Sequence, residues 1–308
     1  MGDDRYTPAV RIPGETIWRR VALAWYRART SAAAEPTLEH PVSQLVTASQ
    51  MRSETYRAWC REMRLEPSMH RKTWEFAYIL QVLDIAGVVR PGSRGLGFGV
   101  GLEPIPAVLA ARGCEVTVTD LPPEEARGLG WAAMSERGLA ELDQDGICPA
   151  DEFARRVRWR PVDMNAIPGE LRRGGFDFVW SSCALEHLGS IALGQAFILN
   201  AVECLKPTGV AVHTTEFNLS SNVFTHDLAP LVLFRRRDVE RTLAACRARG
   251  WIALFNPSAG HDPLDQMFDL PPYDGALHLK LQIGRYVSTS VGIVLREAAP
   301  RGSGHAQP

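Results

Sequence analysis

Apolar residues along this chain follow two different periods, and the change falls at Pro91-Gly92. Before it, Trp18, Val21, Leu23, Ala24 and Trp25, then Tyr56, Trp59 and Met63, then Trp74, Phe76, Tyr78, Ile79 and Leu83 recur at the spacing of one helix face. Pro36, Pro41 and Pro67 divide that stretch into separate helices. After it, short apolar runs alternate with amphipathic ones. Strands are expected over 114–119, 157–162, 176–182, 210–214, 251–255 and 286–295, and helices over 105–112, 192–205 and 238–249. Such alternation is the pattern of a mostly parallel α/β sheet with helices on both faces. The expected organisation is a helical N-terminal cap over 1–70, a catalytic domain over 71–298 and a disordered tail over 299–308. The aromatic stripe of the cap reads first as core packing and second as the lining of a covered pocket.

Composition narrows the partners. At 308 residues the chain has room for one α/β domain and an appended segment. Hydrophobic residues make up 45% and charged ones 22%, which supplies a core and excludes wholesale disorder. Lys and Arg total 34 against 35 Asp and Glu, so no overall positive field grips a nucleic-acid backbone. The local run Arg235-Arg236-Arg237 reads as the solvated start of a helix. The 6 cysteines include no C-x-x-C pair, which points to reduced thiols and away from a zinc knuckle or disulfide framework. The acidic opening and the lack of any run of about 18 apolar residues lead to the expectation of a cytoplasmic protein with no membrane span.

Gly97-Phe98-Gly99-Val100-Gly101 places three glycines at an expected strand-to-helix turn, where the chain bends sharply and a ligand can approach the backbone. A purely structural turn would use the same residues, so the carboxylates downstream carry the weight. Asp120 closes the next strand about 20 residues further on, where a carboxylate can accept both hydroxyls of a ribose. Asp163, in Val162-Asp163-Met164-Asn165, reads equally as a receiver of an adenine amine and as a cap, with Met164 and Ile167 flanking the ring. The dinucleotide loop G-x-G-x-x-G fails in every register: its third glycine falls on Val100 counting from Gly95, on Leu102 from Gly97 and on Pro104 from Gly99. That argues against a nicotinamide cofactor.

Together these residues resemble the class I S-adenosylmethionine-dependent methyltransferases over roughly residues 71–295. The family's glycine loop looks like residues 97–101, its ribose acid like Asp120, its adenine acid like Asp163, and its motif after the fourth strand like Ser181-Ser182-Cys183-Ala184-Leu185-Glu186-His187-Leu188. The resemblance implies a Rossmann-like seven-stranded sheet, mostly parallel with an antiparallel last strand, and S-adenosylmethionine as cofactor. The cofactor set it implies is Gly97, Phe98, Gly99, Gly101, Glu103, Asp120, Leu121, Asp163, Met164, Ser181 and Ser182. One departure stands out: Gly95 occupies the place of the acid that the family carries two positions before the first loop glycine. Glu103, beside Pro104 at the start of the next helix, is the expected substitute toward the methionine end.

The implied reaction is methyl transfer to a small molecule, with O-methylation of a sugar or secondary metabolite ahead of C-methylation of a prenyl-type substrate. For the latter, Trp180, Phe217 and Phe224 would offer aromatic faces. An oxygen or nitrogen acceptor needs a base, and the candidates are Glu186, His187, His213, Glu216 and His226, with Glu216 and His226 the preferred pair. As hydrogen-bonded loop residues they would merely shape a cap. His261, Asp262, Asp265, Asp269 and His278, around Pro271-Pro272-Tyr273, make a divalent metal a minority reading. The competing identities are a catalytically silent, cofactor-binding partner subunit and another nucleotide-dependent α/β enzyme. Protein and nucleic-acid methylation rank lower, because Ser181-Ser182-Cys183-Ala184 stands where an Asn/Asp-Pro-Pro-Tyr signature would. None of these motifs bears on oligomeric state.

Overall fold

The computed structural model describes residues 34–128, 138–143, 145–273 and 277–297. In chain order it contains strand β1 (Ser43–Leu45) and helices α1 (Ala48–Arg52), α2 (Glu54–Glu62) and α3 (Arg71–Ile85). Then come β2 (Arg94–Phe98), α4 (Ile105–Ala111), β3 (Glu115–Asp120), α5 (Pro123–Gly128), α6 (Ala150–Arg156), β4 (Val157–Pro161), α7 (Gly169–Arg172) and β5 (Phe176–Ser182). The chain continues through α8 (Ile191–Ala201), β6 (Leu205–Asn218), the hairpin β7 (Asp227–Leu228) and β8 (Leu231–Val232), and α9 (Arg236–Ala248). It ends with β9 (Trp251–Ile252), β10 (Phe255–Asn256), β11 (Leu281–Ile283) and β12 (Tyr286–Glu297). No helix among the described residues is long and apolar enough to cross a membrane.

One sheet runs in the order β10-β1-β12-β6-β5-β2-β3-β4, with β9 and β11 also pairing to β12. Strands β4, β3, β2, β5 and β6 are mutually parallel, and β12 lies antiparallel to β6 along residues 288–296. This is the expected Rossmann-like, mostly parallel sheet with an antiparallel strand beside β6, but it holds ten strands where seven were expected, because the short strands β1, β9, β10 and β11 gather along β12. Helices cover both faces. Phe178, Trp180, Val210 and Val212 point into a core with α2, α3, α4 and α6, while Val179, Ala211 and Ile293 point into a second core with α8 and α9. Alternation along one strand thus feeds two apolar layers, each large side chain contributing about 1.5–3 kcal/mol on burial.

Two elements differ from the sequence expectation. The strand expected over 210–214 extends to Leu205–Asn218. Lys206-Pro207-Thr208-Gly209 does not end it, because Thr208 takes a left-handed φ of 68° and the pairing with β5 shifts register there. That is how a bulge absorbs turn-forming residues without terminating the strand. The second is β1, which falls inside the stretch expected to be helical. Gln44 and Leu45 pair with Gly292 and Val291, Ser43 pairs with Phe255, and the Ser43 hydroxyl accepts the Val294 amide at 2.9 Å. Leu38, Val46 and Trp59 share the core of Phe178 and Val294. The helix expected around Trp18, Val21, Leu23, Ala24 and Trp25, and the tail, lie outside the described residues.

Helix α3 seats on the sheet through a glycine. The Tyr78 ring, stacked on Trp74 at 4.8 Å, occupies the place a Cβ of Gly292 would take, and its hydroxyl donates to the Val42 carbonyl at 2.6 Å. Gly292→Ala should therefore push α3 off β12 and β6 and lower stability by about 1–3 kcal/mol, read as a lower urea midpoint with an unchanged slope.

Candidate functional site

The chain leaves β2, builds outward through β3 and β4, and returns to the other side of β2 as β5. The carboxyl ends of β2 and β5 therefore flank the topological switch point, the place where open α/β sheets bind ligands because the loops diverge there. The glycine loop sits at that point. Gly99 has φ +60°, and a Cβ there would lie 2.6 Å from the Ala184 Cβ and 3.1 Å from the Met164 sulfur. The Thr119 hydroxyl donates to the Gly97 carbonyl at 2.8 Å, and the Val100 amide donates to the Thr119 carbonyl at 2.9 Å, fixing the loop to β3. Phe98 is buried edge-on against Phe197 at 5.1 Å.

The other implied cofactor residues gather on adjoining strand ends. Asp120 ends β3 half-buried, and its Oδ1 accepts the Leu121 amide at 2.8 Å. Asp163 caps the short turn Met164–Ala166, its Oδ1 accepting the Asn165 amide at 2.8 Å. Met164 and Ile167 are buried in one cluster beneath it. Ser182 faces the polar cluster described below, whereas Ser181 is buried on the opposite face of β5 against His213.

Gly95 lacks a side chain because the Phe178 ring fills the space its Cβ would need, so an acid there has no room. A carboxyl does stand on the far side of the loop. Glu103 is buried and accepts the Trp180 indole N–H at 2.7 Å. Burial pushes its carboxyl up to about 8, against the lowering effect of Trp180, with Glu75 and Asp120 pushing the same way as burial.

Beside this loop, on the α3 face, lies a buried cluster of charged and hydroxyl side chains. The Arg71 guanidinium pairs with Glu216 and with Glu75 at 3.3 Å, and donates to the Ser290 hydroxyl at 3.2 Å. Ser288 donates to Glu216 at 2.5 Å, Thr215 to Glu186 at 2.9 Å, and Ser182 and Thr214 each to Glu75 at 3.3 Å. Cys183 joins the cluster in a left-handed conformation, φ 45°, a strained state for a residue with a side chain. Its thiol is pushed well above the usual range by burial and by Glu186 and Glu75, so it stays protonated. Sequence reasoning missed Arg71, Lys72 and Glu75. The available signal was three charges within the first turns of α3 on an otherwise apolar helix, since a helix buried on all sides keeps charge only where a partner meets it.

The expected bases separate. Glu186 and Glu216 both enter the cluster. His213 is a correction: fully buried among Phe197 and Ser181, it is held down to about 3 by desolvation and remains a neutral core residue. His226 is exposed ahead of the β7–β8 hairpin and does not meet the Glu216 carboxylate, whose oxygens go to Arg71 and Ser288. His187 bonds the Pro230 carbonyl at 2.8 Å through Nδ1. The expected prenyl-binding aromatics also part: Trp180 is buried behind Glu103, Phe217 packs in the opposite core, and Phe224 is 70% exposed.

The five residues of the minority metal reading do not converge. Asp262 pairs with Arg52, Asp265 binds the Ala48 amide at 2.9 Å and lies by Lys280, and His261 is exposed. Asp269 and His278 bond each other at 3.0 Å. The ligand-like group among the described residues is Cys183, Glu186 and Glu216, within 4.8 Å of one another, and Arg71 already supplies the positive charge there.

Two outcomes follow for stability. Glu103, its carboxyl raised by burial, stabilises the fold below the ordinary value of 4.5 and loses that contribution as pH rises through about 8. Glu103→Gln should match wild type near about pH 5 and exceed it by more than about 1 kcal/mol near about pH 9 in denaturant titrations. Arg71→Met removes the cation paired with Glu216 and leaves Glu75 with Lys72 at 3.7 Å, and should cost about 3–5 kcal/mol, visible as a collapsed thermal midpoint.

No family model matches the sequence, and no curated protein matches it. Solved structures do match in shape. The N-methyltransferase NodS from Bradyrhizobium japonicum WM9, in complex with S-adenosyl-L-homocysteine, is 15% identical over 80% of this chain and 100% of its own, with a TM-score of 0.43. The methyltransferase domain of bacterial CtHen1-CN is 12% identical over 74% and 100%, with a TM-score of 0.47. CalS10, an amino pentose methyltransferase from Micromonospora echinaspora involved in calicheamicin biosynthesis, is 18% identical over 80% and 98%, with a TM-score of 0.41.

Proposed function

We propose that this chain is an S-adenosylmethionine-dependent methyltransferase that acts on a small, hydroxyl-bearing molecule. The observation that carries the reading is one of position: a glycine loop and the Asp120 carboxylate at the switch point lie beside a buried polar cluster on the α3 face. The loop admits a nucleoside to bare backbone, Asp120 accepts ribose hydroxyls, and Met164 with Ile167 flanks the base. Glu103 meets the ammonium of the methionine end, ionising as that positive charge arrives. The cofactor supplies an activated methyl on a good leaving group, so the protein's share is orientation and water exclusion.

Acceptor class follows from the side chains of that cluster. Thr214, Thr215, Ser182, Ser288 and Ser290 lie among paired charges, which suits a polyhydroxylated acceptor and gives no apolar bed for a prenyl chain. Arg71 occupies the electrostatic place a divalent ion would take, which favours a metal-independent reaction. Six unpaired, buried cysteines agree with a reducing, cytoplasmic setting. The silent-partner reading keeps one observation, the space filled by Phe178 where the family's acid would stand.

Calorimetric titration with S-adenosylmethionine, S-adenosylhomocysteine and NAD tests the donor site. Adenosylhomocysteine should bind while NAD does not, and Asp120→Ala should weaken that binding about 10- to 100-fold, the worth of charge-assisted hydrogen bonds. Binding by wild type without turnover on a panel of phenols, sugars and amino sugars would favour the silent partner; no binding at all would sink the proposal.

A further inference from the structure

The loop between β10 and β11 brings an imidazole to the edge of the charged cluster, beside Arg71 and Glu216. His278 is pinned through its backbone, its amide donating to the Met69 carbonyl at 3.0 Å and its carbonyl accepting the Arg71 amide at 3.0 Å. Its ring is fixed on three sides: His70 stacks on it at 4.5 Å, Tyr273 meets it edge-on at 5.8 Å, and Asp269 holds Nδ1 at 3.0 Å. A carboxylate accepts, so Nδ1 carries the proton and donates it to Asp269, leaving the lone pair on Nε2. That nitrogen has no hydrogen-bond partner among the described residues and is not one of the buried orphaned atoms.

Every other base near the cluster is engaged. Glu75 and Glu216 are held by Arg71, Glu186 accepts from Thr215, and Glu103 is engaged by the Trp180 indole and, on the proposed reading, by the methionine ammonium. We propose that His278, held by Asp269, is the proton acceptor for the acceptor hydroxyl beside this cluster. The inference rests on the methyl-transfer reading. The acceptor oxygen bonds the methyl carbon, the carbon–sulfur bond of the sulfonium donor breaks with its electron pair kept by sulfur, and the hydroxyl proton moves to Nε2. The imidazolium is stabilised by Asp269 and returns its proton to solvent. Asp269 is a positioning residue.

The charged and titratable groups facing the ring are Asp269 and Tyr273 from its own loop, His70 and Arg71 from the start of α3, and Glu216 from β6. Burial and then Arg71 lower the imidazole below its ordinary value, with Asp269 and Glu216 opposing, so the free base prevails at neutral pH. The rate should therefore rise with pH through that lowered value and then level.

The test uses the full chain as wild type, His278→Gln and Asp269→Asn. Adenosylhomocysteine calorimetry on wild type comes first; its failure removes the donor-site reading without touching the dyad. Long-range ¹H–¹⁵N spectra of the adenosylhomocysteine-saturated protein should show His278 protonated on Nδ1, and a mixture of tautomers in Asp269→Asn. A wild-type His278 protonated on Nε2 overturns the proposal whatever the acceptor. On a hydroxyl acceptor from the panel, His278→Gln should lower kcat about 100-fold or more and erase the rising limb of the pH profile, with KM for S-adenosylmethionine held. Asp269→Asn should give a smaller loss with a displaced limb. An unchanged pH profile in His278→Gln also overturns it.

Discussion

The buried Arg71 guanidinium is the constraint around which the polar side of this sheet is arranged. Taking one cation and two carboxylates out of water is unfavourable by several kcal/mol per ion, and the cluster is tolerated because nearly every charge in it meets a partner. Glu75 comes from the same helix, Glu216 from β6, Ser290 from β12 and Cys183 from the end of β5. Three sheet strands and one helix are thereby locked to a single planar fork. An apolar seam would let α3 slide along the sheet; an ionic one, with one guanidinium nitrogen on Glu75 of the helix and another on Glu216 of β6, fixes its register. The cluster beside the glycine loop inherits that rigidity, which a site built to orient two substrates needs.

Packing and chemistry are coupled again at β2 and β5. Phe178 and Trp180 lie across the bare backbones of Gly95 and Gly97, so the two strands approach closely only because β2 carries glycine at alternate positions. The same closeness removes the space for an acid at 95. Trp180 then donates its indole N–H to Glu103, which brings a carboxyl to the loop from the other direction. Moving the acid thus appears as one consistent change of packing, with Phe178, Trp180, the glycines and Glu103 as its parts.

Much of this was legible from periodicity. Strands over 157–162 and 176–182 and the helix from 105 stand close to where the spacing of apolar residues put them, because local pattern and burial agree there. The glycine loop, Asp120 and Glu103 do stand together at the ends of β2 and β3 and just before α4, as their offsets along the chain placed them. What sequence could not express was pairing over long separations. Nothing in Ser43-Gln44-Leu45 says that its partner is Gly292, and three residues carry no period. The Glu216–His226 pair failed for a related reason: the loop after β6 brings His226 to the surface, while Arg71, far earlier in the chain, took Glu216. His213 misled because it ends a run at a strand edge, yet the extra residues of β6 place it within the sheet, facing Phe197.

Under the proposed reading, the acceptor side of the site is assembled from residues 42–75 and a late stretch of the chain. Residues 42–75 and 257–292 meet at β1 with β12, at Ala48 with Asp265, and at His70 with His278. Lys280, fully buried, ties the loop internally to the Ala259 carbonyl at 2.6 Å and the Asp265 carbonyl at 2.5 Å. The donor side is different, since the glycine loop, Asp120 and Asp163 belong to consecutive parallel units that fold around local contacts. Loop and cap can therefore vary their side chains without disturbing the nucleoside cradle, provided Arg71 and Glu216 keep the seam. On that division and under the proposed methyl-transfer reading, donor recognition falls to the sheet and acceptor recognition to the pairing of an N-terminal segment with a late loop.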